Sequence, residues 1–152
     1  MTAWREEVDS AIVSFTTVAG LAGNPISKAD FEVEYLPAPH RPPTRLPAGK
    51  MAAYGFWGDG VWLKIGRTGP KSKARFTSQH YNPGSAMSTL AGSLAKDPHR
   101  LTVIGFDLHA PGAWIITATH RVNILLPAHK QIKLLALLEA FLHLRLRPRY
   151  ER

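Results

Sequence analysis

Two strand-like segments on either side of an Asp-Gly pair constrain the fold most strongly. Met51–Trp57 and Val61–Ile65 are rich in aromatic and branched residues, and Asp59-Gly60 lies between them. An Asp-Gly pair is typical of two-residue hairpin turns, which need positive φ angles. The sequence therefore predicts an antiparallel β-hairpin over residues 51–65.

Helical patterns lie on both sides of this hairpin. Ala3–Val18 places its apolar residues on one helical face, and Gly20 and Gly23 are expected to end that helix. Further helices are predicted over Ser72–His80, after a capping Ser85, and over Ala128–Leu146, which Pro148 should end.

The remaining segments indicate how the chain is organised. Phe31–Tyr35 is expected to be a short strand, Leu101–Leu108 a buried strand and Val122–Leu126 a possible further strand. Five of the twelve prolines fall between residues 37 and 47, which predicts a stiff, extended connector. We expect residues 1–49 to form an N-terminal arm that packs on the main domain or on a partner subunit. Residues 50–152 should form an α+β domain, a small antiparallel sheet of about three strands flanked by helices.

The charge is unevenly distributed along the chain. Residues 1–49 contain four basic and six acidic side chains, a net charge of −2. Residues 50–152 contain fifteen basic and five acidic side chains, a net charge of +10. A domain this basic is a candidate for binding a polyanion such as nucleic acid.

Several classes of protein are excluded by composition. The chain has no cysteine, which removes disulfides, thiol catalysis and cysteine metal sites. The longest apolar run is five residues, Leu134–Leu138, so no membrane span is expected. Acidic side chains among the first nine residues do not suit a secretory signal. We therefore expect a cytoplasmic protein.

Polar residues that suit chemistry cluster around the predicted hairpin. Ten residues separate Tyr54 from Lys64, an even number, so both are expected on one face of the hairpin. The next predicted helix should cover that face, and it carries Arg75 and His80.

A single carboxylate stands out later in the chain. Glu139 lies in an apolar helical segment, with Leu135, Ala136, Leu142 and His143 as its helical neighbours. A carboxylate on such a face must be desolvated, paired or bound to a metal. The alternative to a functional role is a structural salt bridge with a nearby arginine such as Arg145 or Arg149.

This ordered set of residues resembles the GIY-YIG nuclease superfamily. Ala52-Ala53-Tyr54 stands where that family has Gly-Ile-Tyr, and Lys64-Ile65-Gly66 stands where it has Tyr-Ile-Gly. The Lys-Ile-Gly form is similar to a variant found in some restriction enzymes and phage-associated relatives. The resemblance covers roughly residues 50–150 and implies a GIY-YIG-like fold with an N-terminal helical arm.

The resemblance implies metal-dependent hydrolysis of DNA phosphodiester bonds, in restriction or phage defence. Glu139 would hold one Mg²⁺ or Mn²⁺ ion, and Arg75 would stabilise charge on the phosphorane. Tyr54 would be the general base towards water, with Lys64 as the alternative base and His80 as an assistant or phosphate contact. The side chains expected to contact nucleic acid are Arg67, Lys71, Lys73, Tyr81 and Arg149.

Two competing functions remain open from the sequence. One is a non-catalytic nucleic-acid-binding protein on the same scaffold, and the other is an adaptor whose proline-rich arm recruits a partner protein. If the protein is a nuclease, its expected partner is DNA, and the sequence does not exclude RNA. Cleavage of both strands with one site per chain would favour a homodimer.

Overall fold

The computed structural model describes residues 2–87, 89–97 and 109–150. Within these ranges the chain has an α+β fold with one four-stranded antiparallel sheet. Its strands are β1 (Glu32–Leu36), β2 (Lys50–Gly58), β3 (Val61–Thr68) and β4 (His120–Pro127). Its helices are α1 (Ala3–Leu21), α2 (Lys73–Thr77), α3 (Leu90–Ala95), α4 (Pro111–Ala118) and α5 (Ile132–Leu146), and single 3₁₀ turns cover Lys28–Asp30 and Gln79–Tyr81.

The described sheet has one more strand than the sequence predicted. The strand order is β1-β4-β2-β3, so β1 and β3 lie at its two edges. The additional strand is β1, which was expected in the arm but pairs with β4. Glu32 lies opposite Leu125 at one end of this pairing, and Leu36 lies opposite Arg121 at the other. The strand predicted over Leu101–Leu108 lies outside the described residues.

The predicted hairpin is confirmed, with one irregularity that matters for the site. Asp59 and Gly60 have φ angles of 54° and 73°, as a two-residue hairpin turn requires. Trp57 pairs with Trp62 but Phe56 pairs with Lys64, so Leu63 is an extra residue in β3. This bulge shifts the register by one residue and turns Lys64 to the face that carries Tyr54 and Phe56. The shared face is therefore confirmed, although an even separation across a regular two-residue turn would have placed Tyr54 and Lys64 on opposite faces.

One predicted helix end is confirmed and one predicted helix start is wrong. α1 ends at Leu21, between Gly20 and Gly23, and Gly23 has a positive φ angle of 75°. α3 is capped by Thr89, whose hydroxyl accepts a hydrogen bond from the Gly92 N–H, and not by Ser85. A side-chain cap can stand anywhere that the chain turns correctly, so composition alone does not choose between neighbouring candidates.

The other two helix predictions were too long. The predicted helix over Ser72–His80 divides into α2 and a separate 3₁₀ turn, with Ser78 at φ −125° between them. α5 begins at Ile132 because residues 128–130 form a turn, in which the Lys130 N–H bonds the Pro127 carbonyl. It ends at Leu146, two residues before Pro148, as predicted.

Helices cover both faces of the sheet. α1 and α5 pack on one face, where Phe15, Leu135 and Leu138 are fully buried. α2, α3 and α4 pack on the other face, around Tyr54, Phe56 and Phe76. The N-terminal segment thus packs against residues of the main domain through α1 and β1.

None of the helices in the described ranges is long and apolar enough to cross a membrane.

Replacing Phe15 with alanine tests how far the N-terminal segment contributes to the fold. The ring is fully buried against Phe31 and Phe141, so its loss should lower the free energy of unfolding by about 3–5 kcal/mol. Val13→Ala on the same helix is the control, because Val13 is 54% exposed and should change stability by less than about 0.5 kcal/mol. Urea unfolding measures both, and equal effects would show that α1 is only loosely attached.

Candidate active site

A buried tyrosine lies across the backbone of the edge strand β3. Tyr54 on β2 is 1% exposed and pairs with Gly66 on β3. A Cβ atom at Gly66 would lie 2.7 Å from the Tyr54 hydroxyl oxygen, which is closer than real contacts allow. Glycine at this position therefore lets the phenol reach across the strand, and any larger residue would displace it.

The Tyr54 hydroxyl is hydrogen-bonded to a histidine whose protonation the structure defines. His80 Nε2 lies 2.7 Å from the hydroxyl, and His80 Nδ1 accepts a hydrogen bond of 3.0 Å from the Leu90 backbone N–H. Burial, together with the charges of Arg75, Arg121 and Lys64, lowers the pKa of His80 to about 2. The ring is therefore neutral with its proton on Nε2, and it donates that proton to the tyrosine oxygen.

Opposing effects act on the proton of Tyr54 itself. Burial raises the pKa of Tyr54 to about 12, and the charge of Glu139 also raises it. The charges of Arg75 and Arg121 lower that pKa, as does a hydrogen bond from Arg75. The oxygen thus accepts hydrogen bonds from His80 and Arg75, which leaves its own proton to point away from both.

Arg75 approaches this tyrosine from α2. One guanidinium nitrogen, Nη1, donates to the Met87 carbonyl at 2.9 Å and ties α2 to the segment that precedes α3. Its charge also acts on Tyr54 and His80. Arg75 is only part-buried, so it lies between the buried pair and the surface.

Glu139 reaches the same place from α5. Its Oε1 lies 3.6 Å from Nε of Arg67, and its side chain is 24% exposed. Of the two alternatives considered, Arg145 bonds Ser10 and Ser14 instead, and Arg149 lies 3.8 Å from Asp59. Glu139 therefore does form the predicted salt bridge with a nearby arginine, and that arginine is Arg67.

The residues at the site suit a metal ion that takes most of its ligands from substrate phosphates and water. No group of three or more His, Cys, Asp or Glu side chains converges in the described part of the chain. Mg²⁺ commonly uses one or two carboxylates and takes its other ligands from substrate phosphates and water. A single part-buried glutamate beside a cationic surface matches that donor set, so Glu139 is the residue that would hold it.

Lys64 is buried beside this cluster. The side chain is 2% exposed, and its ammonium group donates to the Tyr150 carbonyl at 3.4 Å. Its charge acts on His80, which places it near the hydrogen-bonded pair of Tyr54 and His80. Lys64 therefore supplies a buried positive charge behind the site.

An open groove runs along the surface next to Arg75. Its volume is about 550 Å³, and four of its lining side chains are cationic: Arg67, Lys71, Lys73 and Arg75. Its described lining includes no carboxylate. We call these four residues the cationic groove, and their arrangement suits a chain of phosphate groups.

Two residues predicted to contact nucleic acid lie elsewhere. Tyr81 is buried, and its hydroxyl is bonded to His40 at 2.8 Å and to Arg121 at 3.1 Å. Arg149 lies against Asp59 at the hairpin turn, and its N–H donates to the Trp62 carbonyl. The structure thus brings together the predicted residues Tyr54, Lys64, Arg75, His80, Glu139, Arg67, Lys71 and Lys73, and leaves Tyr81 and Arg149 outside the groove.

Sequence reasoning missed two residues that support the site. Arg121 on β4 is fully buried next to the ring of Tyr54, and His40 from the proline-rich segment is buried against Tyr81. One signal was present, because Arg121 directly precedes the predicted strand Val122–Leu126. His40 gave no comparable signal.

Comparison with models of protein families, with curated proteins and with solved structures found no match. The fold and the site define a class of protein by themselves: an α+β domain that presents a buried tyrosine and histidine beside a cationic groove. What this protein does is therefore argued from the chemistry of that site.

The protonation of His80 predicts how stability depends on pH. Its pKa in the folded protein is well below the ordinary value, so only the unfolded chain takes up this proton as the pH falls below about 6. His80 should therefore cost the native state about 1.4 kcal/mol per pH unit between roughly pH 6 and 4.

Urea unfolding of the wild type and of His80→Gln across that range measures this effect. The stability difference between the two proteins should shrink as the pH falls, because His40 and His120 remain in both. Parallel plots of unfolding free energy against pH for the two proteins would contradict this. They would show that His80 takes up its proton as readily in the folded protein as in the unfolded chain.

Proposed function

We propose that this protein is a metal-dependent endonuclease that hydrolyses phosphodiester bonds in DNA, with a GIY-YIG-like arrangement of its site. One observation carries the proposal: Tyr54, Arg75, His80 and Glu139 come from four separate elements and converge beside the cationic groove. Convergence of a proton acceptor, a guanidinium and a carboxylate at a phosphate-binding surface is what such hydrolysis requires.

Tyr54 is the proposed proton acceptor. His80 and Arg75 both donate to its oxygen, so a phenolate formed there is stabilised by two hydrogen bonds and by the neighbouring positive charges. With a pKa of about 12, only a small fraction of the phenol is ionised at neutral pH, and the rate should rise with pH. Lys64 is the weaker candidate, because its ammonium group is buried against the Tyr150 carbonyl.

The cations of the site hold and stabilise the phosphate. Arg75, between the buried pair and the surface, would stabilise charge on the equatorial oxygens of the attacked phosphate. Arg67, Lys71 and Lys73 are exposed and would bind neighbouring phosphates without reading base sequence. A bound Mg²⁺ or Mn²⁺ would supply Lewis-acid stabilisation of a phosphate oxygen at Glu139.

The ion pair between Arg67 and Glu139 supports a second candidate function. A carboxylate already neutralised by an arginine suits a protein that binds nucleic acid without cleaving it. On that alternative, the cationic groove alone binds the nucleic acid, and the hydrogen-bonded pair of Tyr54 and His80 has only a structural role. The absence of cysteine is compatible with a cytoplasmic setting for either function.

Glu139→Gln separates cleavage from binding. The variant should lose metal-dependent cleavage by at least about 100-fold, since it removes the proposed metal ligand. Its affinity for DNA should be unchanged or higher, because Arg67 no longer has a carboxylate partner. Nicking of a plasmid and fluorescence anisotropy of a labelled duplex measure the two properties, and wild-type cleavage in the variant would contradict the assignment.

Lys71→Ala combined with Lys73→Ala tests the cationic groove. If each lysine contacts one phosphate, the slope of log Kd against log salt should fall by about 1.8 for the double variant. Lys28→Ala is the control, because Lys28 is exposed in the turn before the opposite edge strand β1 and should leave the slope unchanged. Equal slopes for all three proteins would place the nucleic-acid surface elsewhere.

A further inference from the structure

A buried arginine makes three directed hydrogen bonds beneath the site. Arg121 on β4 is fully buried. Its Nε donates to Asn123 Oδ1 at 2.8 Å, its Nη1 to the Tyr81 hydroxyl at 3.1 Å, and its Nη2 to the Phe76 carbonyl at 2.6 Å. These contacts use the planar fork of the guanidinium, which a lysine cannot reproduce.

Aromatic rings surround the same guanidinium. Its central carbon lies 5.0 Å from the ring centre of Tyr54 and equally far from that of Phe76, with Phe56 at 5.1 Å and Tyr81 at 5.9 Å. Such distances allow cation–π attraction, which grows when the cation is desolvated. The rings and the three hydrogen bonds fix the guanidinium in one orientation.

The burial of this charge needs a reason. No salt bridge joins Arg121 to a carboxylate in the part of the chain that the structure describes, and Glu34 feels its charge only at longer range. Removing an ion from water costs several kcal/mol, and hydrogen bonds to neutral groups offset only part of that cost. A fully apolar side chain would fill the same space at a lower free-energy cost. The charge and the N–H donors of Arg121 therefore indicate a role in the site.

The partners of Arg121 are neighbours of the proposed catalytic residues. Phe76 directly follows Arg75, and Tyr81 directly follows His80. The third element that contacts the guanidinium is the ring of Tyr54 itself. Arg121 therefore contacts Tyr54 itself and the residues that directly follow Arg75 and His80.

We propose that Arg121 is the positioning residue of this site, holding α2 and the 3₁₀ turn so that Arg75 and His80 both donate to the Tyr54 oxygen. This rests on the proposed function in so far as that oxygen is the proton acceptor. The charge of Arg121 also lowers the pKa of both Tyr54 and His80. The other charged or titratable groups acting on the pair are Arg75 from α2, Lys64 from β3 and Glu139 from α5.

Arg121→Met and Arg121→Lys test the proposal, with Arg145→Met as the matched control. Arg145 is exposed on α5 and bonds only Ser10 and Ser14 in the described contacts, so its loss should change nothing measured. Methionine keeps the apolar stem and removes charge and donors. Lysine keeps the charge but cannot reproduce the planar set of donors. Arg121→Lys therefore serves as the second variant if Arg121→Met does not fold.

Long-range ¹H–¹⁵N spectra of the His80 ring give a readout that does not depend on cleavage. The wild type should show a single neutral ring with the proton on Nε2, and both Arg121 variants should show a mixture of the two neutral forms. A single Nε2–H form in a folded Arg121 variant would overturn the proposal. A mixture in these variants with no cleavage by the wild type would leave Arg121 as a positioning residue and refute the nuclease.

Kinetics on duplex DNA with Mg²⁺ give the second readout. Arg121→Met should lower kcat by about 100-fold, since displacement of catalytic groups by about 1 Å has effects of that size. KM should stay within about 2-fold, because Arg67 and Lys71 of the cationic groove lie outside α2 and keep their positions. The rising limb of log kcat against pH should move to higher pH in Arg121→Met and stay in place in Arg121→Lys. An unchanged kcat and pH profile in both variants would show that Arg121 is only structural.

Discussion

The site depends on the close approach of the Tyr54 phenol to the backbone of Gly66. A Cβ atom at position 66 would meet the hydroxyl oxygen at 2.7 Å, so only glycine lets the side chain cross the edge strand there. Crossing the strand brings the oxygen, which belongs to the face covered by α2–α4, under the influence of Glu139 on α5.

Positive charge surrounds that oxygen in two layers with different physical consequences. Arg121 and Lys64 are buried, so their fields are weakly screened: both act on the proton equilibrium of His80, and Arg121 also acts on that of Tyr54. Arg67, Lys71 and Lys73 are exposed and line the cationic groove, where they suit phosphates. The net charge of +10 over residues 50–152 therefore combines an internal contribution to the site with an external contribution to binding.

Much of this arrangement is visible in the sequence, and the rest depends on contacts between distant segments. The Asp59-Gly60 turn and the α5 helix follow from local preferences, which is why both were predicted. The bulge at Leu63 was not visible, because a register shift depends on cross-strand packing. The pairing of β1 with β4 and the role of Arg121 also escaped prediction, since each joins segments more than forty residues apart.

The most direct test of the central claim is the chemistry of the products when purified protein meets duplex DNA, single-stranded DNA and RNA with Mg²⁺ or Mn²⁺. Water attack with departure of the 3′ oxygen predicts DNA fragments that carry 5′-phosphate and 3′-hydroxyl ends, with no product when a chelator is present. Intact substrates with every metal, at protein concentrations that fully bind the DNA, would contradict the account and favour a nucleic-acid-binding protein.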